Sequence, residues 1–371
     1  MKNIKKNYIY NLIYQLTLII VPIISTPYIS RILHAEGVGS VSFTQALTNY
    51  FVVFGTLGFT YYAQREIAKK QDDQHAQSVL FFEIILCRLI SASVAVMCDI
   101  FLIITGVYGA NTLLMLIFLT EVVTVVFDVT FLFQGNEEFG YIVLRSIIIK
   151  IVGTACIFIF IKQSSDTWIY ALINGLSTFA IGISLWPKVF KKIVKVNIHE
   201  LKPFRHFLPA IRLFIPTVAI VLYTVFDRSL IGIITKDVAE NGYYEQAEKI
   251  VKMILVIVTC LSTVMIPRNS NEYAKGNEEA VKNNIYNAMH FVWLLAIPMM
   301  CGVAIVASNM LPWFLGNGFQ KSILLMQIFS PIILFIGFSN VLGLQWLVPT
   351  KKDTKFTIAV TVGALLIFYL T

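Results

Sequence analysis

Apolar runs of about twenty residues recur along the whole chain, separated by short polar or basic segments. Each is long enough to cross a bilayer core of roughly 30 Å at about 1.5 Å of rise per residue. Inside that core every backbone N–H and C=O must be bonded within its own segment, so such a run is a helix. Charged residues make up only 13% of the chain, against roughly 25% in a soluble domain. The expected fold is therefore an all-α, polytopic membrane protein. The spans fall near 8–31, 43–62, 79–104, 113–133, 141–161, 168–186, 213–234, 250–266, 290–306, 323–347 and 356–371. Lys2, Lys5 and Lys6 precede the first run as they would in a signal peptide, but the run is too long and no small-residue cleavage site follows. It is read as the first helix.

The basic residues are distributed unevenly. With the N-terminus inside, nineteen lysines and arginines fall in the inner loops and six in the outer ones. This bias is the signature of a cytoplasmic N-terminus, and it accounts for the net charge of +8 without a nucleic-acid partner. The five cysteines lie in or beside apolar spans with no metal-ligand spacing, and are read as small core residues without disulfides. There is no P-loop, dinucleotide fingerprint or zinc motif, so neither a cofactor nor a metal is expected. The longest loop, 187–212, is basic and carries Phe190, Ile193, Val194 and Ile198. It is read as a cytoplasmic linker that can lie on anionic lipid headgroups. It divides the chain into a six-helix lobe, 1–186, and a second lobe, 213–371. That second lobe lacks a twelfth helix and is read as truncated.

A repeat supports the division. Asn7–Ala46 carries Pro22, Pro27, Arg31, a turn at Gly37 and Gly39, and Phe43-Thr-Gln-Ala46. Leu213–Ala247 carries Pro216, Arg228, Gly242 and Tyr244-Glu-Gln-Ala247. Two same-facing copies of a helix pair point to a repeat-built transporter, two pseudo-symmetric bundles around a central cavity. Pro22 and Pro27 are expected to break the first helix, and kinked helices suit alternate opening to the two sides.

Ionisable residues within spans are costly and mark cavities or partners. Arg88 and Lys150 fall about 14 Å from the inner face and Glu121 about 18 Å, so an Arg88–Glu121 pair is possible. Asp128 and Arg145 share a lower layer, and Asp128 lies on the Glu121 face of its helix. One reading makes these structural ion pairs. The other makes a water-filled cavity whose cations, Arg88, Lys150, Arg228 and Arg31, bind an anionic substrate. Glu121, Asp128 and Asp227 are then the ion- or proton-coupling carboxylates. Gln45, with Asn11, Gln15, Asn49 and Gln64, can bind sugar hydroxyls or hold helices together.

The segments Pro27-Tyr-Ile-Ser-Arg-Ile-Leu33 with Glu36-Gly-Val-Gly39, Gln64-Arg-Glu-Ile-Ala68, Phe133-Gln-Gly-Asn-Glu137, and Asp227-Arg228 followed by Gly242-Tyr-Tyr-Glu-Gln-Ala-Glu-Lys-Ile250 resemble the bacterial Wzx-type polysaccharide flippases. These transport O-antigen and capsule repeat units, and belong to the exporter superfamily that also holds lipid II flippases and multidrug exporters. His34 stands where the pattern has Gly. The resemblance implies two six-helix lobes around a cavity in the bacterial cytoplasmic membrane. It implies an undecaprenyl-pyrophosphate oligosaccharide as substrate, moved from the inner to the outer leaflet by alternating access. It also implies membrane lipids, a polysaccharide polymerase and a chain-length regulator as partners. Arginine suits such a substrate because its planar fork matches phosphate oxygens.

Two other activities compete. A cation-coupled drug exporter of the same superfamily needs exposed carboxylates, and the candidate cavity is net positive. A membrane polymerase or ligase needs a substantial outer loop, and the largest here is roughly 236–249. A scaffold role in a synthesis complex is compatible with transport.

Overall fold

The computed structural model describes residues 2–350, 352, 354–356, 358–359 and 361–363. Among them the chain is helical with short connections, as expected from the apolar runs. Seven stretches are long and apolar enough to cross a membrane by length and composition, Gln15–Thr56 and Gln74–Ile104 among them. The span expected at 356–371 lies largely outside the described residues.

Helix α1 runs from Lys2 to Thr56 and contains the first expected span and most of the second, whose last residues lie in α2. At about 1.5 Å per residue it is more than twice as long as the membrane core is thick, so it must turn. It passes through Pro22 and Pro27 unbroken and turns at His34, whose φ of 55° and ψ of −175° are not helical. Two expectations are corrected here. The prolines do not break the helix, and Gly37 and Gly39 are helical instead of forming the turn. Gly37 serves a close approach: a Cβ there would lie 2.7 Å from Thr167 Oγ1 and 3.0 Å from Leu33 Cβ.

A second corner follows at Leu57-Gly58. Gly58 has φ 74°, and a Cβ on it would sit 2.4 Å from the Ala210 carbonyl oxygen. Only glycine meets both the backbone angle and the close contact. Helices α2 (Phe59–Ala68), α3 (Gln74–Ile104), α4 (Thr112–Phe127), α5 (Thr130–Gly135), α6 (Phe139–Phe160) and α7 (Thr167–Ile183) complete the first bundle. The span expected at 113–133 is split into α4 and α5 at Asp128-Val129. The loop expected at 187–212 holds α8 (Trp186–Lys192) and two 3-10 turns, and α9 (Phe207–Thr235) begins six residues early.

One end of this bundle is closed by an apolar core. Phe59, Ile67, Leu80, Phe81, Ile84 and Phe131 are each 1% exposed or less. Elsewhere the pattern is inverted. Phe101, Ile104, Ile151 and Ile159 are exposed while Glu83, Arg88 and Asp99 are buried, as befits helices that face lipid outward and polar groups inward.

The described chain forms two compact units, 1–238 and 239–371. Helix α9 falls within the first of these units. The second unit holds α10 (Val238–Ala274), α11 (Glu278–Leu315), α12 (Gln320–Phe329), α13 (Pro331–Ser339) and a π-helical stretch, Asn340–Leu347. The single span expected at 323–347 is divided at Ser330, because Pro331 opens a new helix where its missing N–H costs nothing. Pro349 cannot donate to the carbonyl of Gln345, four residues earlier. Asn269 Nδ2 supplies that bond from α10 at 2.8 Å, and its Oδ1 accepts from Asn284 Nδ2 at 3.0 Å.

Candidate functional site

A cavity of about 240 Å³ lies inside the first unit among α1, α2, α3, α4, α5 and α7. Five of its twelve lining residues are threonines, and Arg88, Glu121 and Asp128 complete its polar wall. The geometry follows from the break between α4 and α5. Asp128 leaves the helix at ψ 101°, so the last carbonyls of α4 lose their intrahelical partners. Arg88 reaches them from α3. Its Nη1 donates to the carbonyls of Val125, at 3.4 Å, and of Asp128, and its Nη2 donates to Thr60 Oγ1 at 2.8 Å. The guanidinium also lies over the Phe131 ring, 4.9 Å from its centroid. A cation at the carboxyl end of a helix is favoured by the helix dipole.

Arg88 is only 1% exposed, and its Nε has no hydrogen-bond partner among the described residues. Glu121 enters the same cavity from α4 and accepts from Gln45 Nε2 of α1 at 3.2 Å. The structure does not place Arg88 in an ion pair with Glu121. Asp128 Oδ1 accepts from the Thr130 backbone N–H at 3.1 Å, which caps α5. Arg145 repeats what Arg88 does, one helix over: its Nη1 donates to the Ile181 carbonyl and to Ser184 Oγ at the end of α7. Helix position alone shows depth but not which way a long side chain bends. Each arginine reaches a helix end.

Of the residues singled out in the sequence, the structure brings Arg88, Glu121 and Asp128 to one cavity, with Gln45 bonded to its wall. Lys150 is half-buried on α6, Arg31 is exposed on α1, and Asp227 and Arg228 are half-buried on α9. None of these four lines the cavity. Next to Arg228, Ser229 Oγ accepts from Tyr50 OH at 3.1 Å and ties α9 to α1.

A second polar cluster was not legible. Glu83, fully buried on α3, accepts from the Lys202 backbone N–H at 2.6 Å, Arg205 Nη2 at 2.7 Å and His206 Nε2 at 2.7 Å. His206 Nδ1 in turn meets Tyr62 OH at 2.7 Å. Burial holds the His206 imidazole below the usual histidine range, although the Glu83 carboxylate pulls the other way. Glu138, beyond α5, is pushed up by burial but held below the usual carboxylate range by Lys192 and Lys188. The partners of Glu83 are more than a hundred residues away, and nothing in the local pattern announces them.

Residues 4–271 match the model of a family described as polysaccharide biosynthesis protein. The chain is 25% identical over 381 residues to a protein of Escherichia coli (strain K12) named "Putative O-antigen transporter", covering 100% of this chain and 90% of that one. A Shigella dysenteriae protein of the same name is 23% identical over 358 residues, with coverages of 93% and 86%. Among solved structures, a lipid II flippase MurJ in an inward closed conformation superposes with a TM-score of 0.74 at 17% identity, covering 97% of this chain and 79% of that one. An inward-facing multidrug resistance MATE family transporter gives 0.69 at 13% identity, covering 97% and 88%. At these identities the two structures establish a shared fold.

Proposed function

The chain belongs to the polysaccharide biosynthesis protein family, and from that premise we propose that it is a flippase for undecaprenyl-pyrophosphate-linked oligosaccharide repeat units. The observation that carries the reading is Arg88: a guanidinium 1% exposed, at a threonine-rich cavity within a bundle of membrane-length helices. A buried cation beside hydroxyls suits a diphosphate and sugar headgroup. The lipid tail stays in the bilayer while the headgroup crosses. The names of the relatives, O-antigen transporters, and the fold shared with a lipid II flippase support the same substrate class.

In this reading Arg88, Lys150, Arg228 and Arg31 are the anion-binding cations, and Gln45 meets sugar hydroxyls. Glu121, Asp128 and Asp227 carry the coupling ion or proton. The lobes 1–186 and 213–371 alternate in access, joined by 187–212, and surface polysaccharide biosynthesis consumes the product. The protein sits in a bacterial cytoplasmic membrane with its N-terminus inside, where the polymerase and chain-length regulator receive the substrate.

The test is leaflet accessibility in proteoliposomes that contain an undecaprenyl-pyrophosphate oligosaccharide. A membrane-impermeant lectin added outside reads the exposed sugar. Exposure that rises with the amount of protein supports the proposal. No exposure above empty liposomes, with or without an ion gradient, together with export of cationic dyes, would replace it with the drug-exporter reading.

A further inference from the structure

Residues 186–208, from α8 into the first turn of α9, combine three features that transport does not use. The segment is fastened along the first turns of α3. Gln74 Nε2 donates to the Lys192 carbonyl at 2.8 Å, the Val194 N–H donates to Ser78 Oγ at 3.1 Å, and the Glu83 cluster holds residues 202–206. From Gln74 to Glu83 is about 14 Å of helix. A strap fixed at that level, joining two helices of membrane length, lies at the boundary of the bilayer.

Val189 is buried and Trp186 and Ile193 pack on the apolar core, but four other apolar side chains of the segment point outward. Phe190 is 73% exposed, Ile198 74%, Phe204 75% and Leu208 63%. Large apolar groups this open to water are costly, and lipid relieves the cost. The basic residues fall into two groups. Lys188 and Lys192 pair with Glu138, and Arg205 pairs with Glu83. Lys191, Lys195 and Lys202 are exposed and have no ion pair among the described residues. Aromatic and aliphatic groups interleaved with uncompensated lysines match one ligand chemistry, an acyl chain beneath an anionic headgroup.

We propose that this strap is a binding surface for anionic phospholipid of the adjoining leaflet: Phe190, Ile198 and Phe204 enter the acyl region, and Lys191, Lys195 and Lys202 hold the headgroup phosphates. The surface belongs to the first unit alone, and the inference requires only that the chain spans a membrane, whatever it transports. Through Glu83 and His206 the lipid-bound strap is continuous with the start of α9.

The experiment uses the purified full chain, with phosphatidylglycerol and phosphatidylcholine offered together and the retained adducts counted by native mass spectrometry. The wild type is expected to retain phosphatidylglycerol preferentially. The combined Lys191→Gln, Lys195→Gln and Lys202→Gln variant should lose the preference by about fivefold for each lysine, and the corresponding triple arginine variant should keep it. Monodisperse elution of the glutamine variant controls for folding. In nanodiscs, tryptophan fluorescence of Phe190→Trp should be quenched by brominated acyl chains. Equal retention of the two lipids by the wild type, or a glutamine variant with undiminished preference, would overturn the proposal. So would a residue 190 reached only by aqueous quencher, or a dimer in phosphatidylcholine abolished by Phe190→Ser with Phe204→Ser. None of these readouts involves flipping, so failure here leaves the transport reading standing.

Discussion

Gln45 on α1 donates from Nε2 to Oε1 of Glu121 on α4 across 3.2 Å, at the wall of the cavity that Arg88 enters from α3. Glu121→Gln keeps the shape and leaves a carbonyl oxygen to accept from Gln45, so the fold should be retained. If Glu121 carries the coupling charge, the variant should flip substrate at a rate that no longer responds to an ion gradient. A gradient response equal to wild type would remove Glu121 from that role.

His34 is strained. Its φ of 55° with ψ −175° lies beside a region essentially reserved for glycine. Such strain costs about 1–3 kcal/mol, part of which glycine gives back through the greater freedom of its unfolded chain. His34→Gly should therefore raise the melting temperature in detergent by about 2 °C or more. A lower melting temperature would mean that contacts of the imidazole outweigh the backbone strain.

The Glu83–His206–Tyr62 cluster should make the anchoring of residues 202–206 depend on pH. Burial depresses the protonation of folded His206, while the unfolded residue titrates near about 6.5. The stabilisation is present above that value and is lost as pH falls below it, because the unfolded chain then binds more protons. Melting temperature should fall between roughly pH 6.5 and 5, and His206→Asn should flatten that part of the profile. An unchanged slope in the variant would assign the pH dependence to other groups.

Asn269 substitutes for the N–H that Pro349 lacks. Asn269→Ala should cost about 1–3 kcal/mol, the penalty of a buried carbonyl left unsatisfied. Pro349→Ala restores a backbone donor, so the cost of losing Asn269 should shrink in that background. Additive effects of the two substitutions would contradict the assignment.

The spans were legible because lipid demands long apolar helices, and α3, α6 and α7 follow the expected runs closely. The breaks were less so. Pro22 and Pro27 look like interruptions, yet the helix absorbs them. The corner falls on His34, whose identity gives no hint of a positive φ except that the family resemblance places a glycine there. The split at Asp128 has neither proline nor glycine to mark it, and is stabilised by a side chain forty residues away, Arg88. Equal depth suggested an Arg88–Glu121 pair, but both buried arginines turn to the carbonyls at helix ends. Charge at a given height was visible in sequence, and its partner was not.

In the proposed function, lipid-linked oligosaccharide crosses by way of the Arg88 cavity. Arg88→Lys tests it most directly. Lysine keeps a positive charge near the α4 carbonyls but lacks the fork that also reaches Thr60. The measurement is lectin-accessible oligosaccharide in proteoliposomes holding equal amounts of folded wild type and variant. Flipping should slow by tenfold or more, the equivalent of ~1.4 kcal/mol, with the melting temperature nearly preserved. Wild-type flipping by a well-folded Arg88→Lys protein would contradict it and leave Arg88 as a helix-end brace alone.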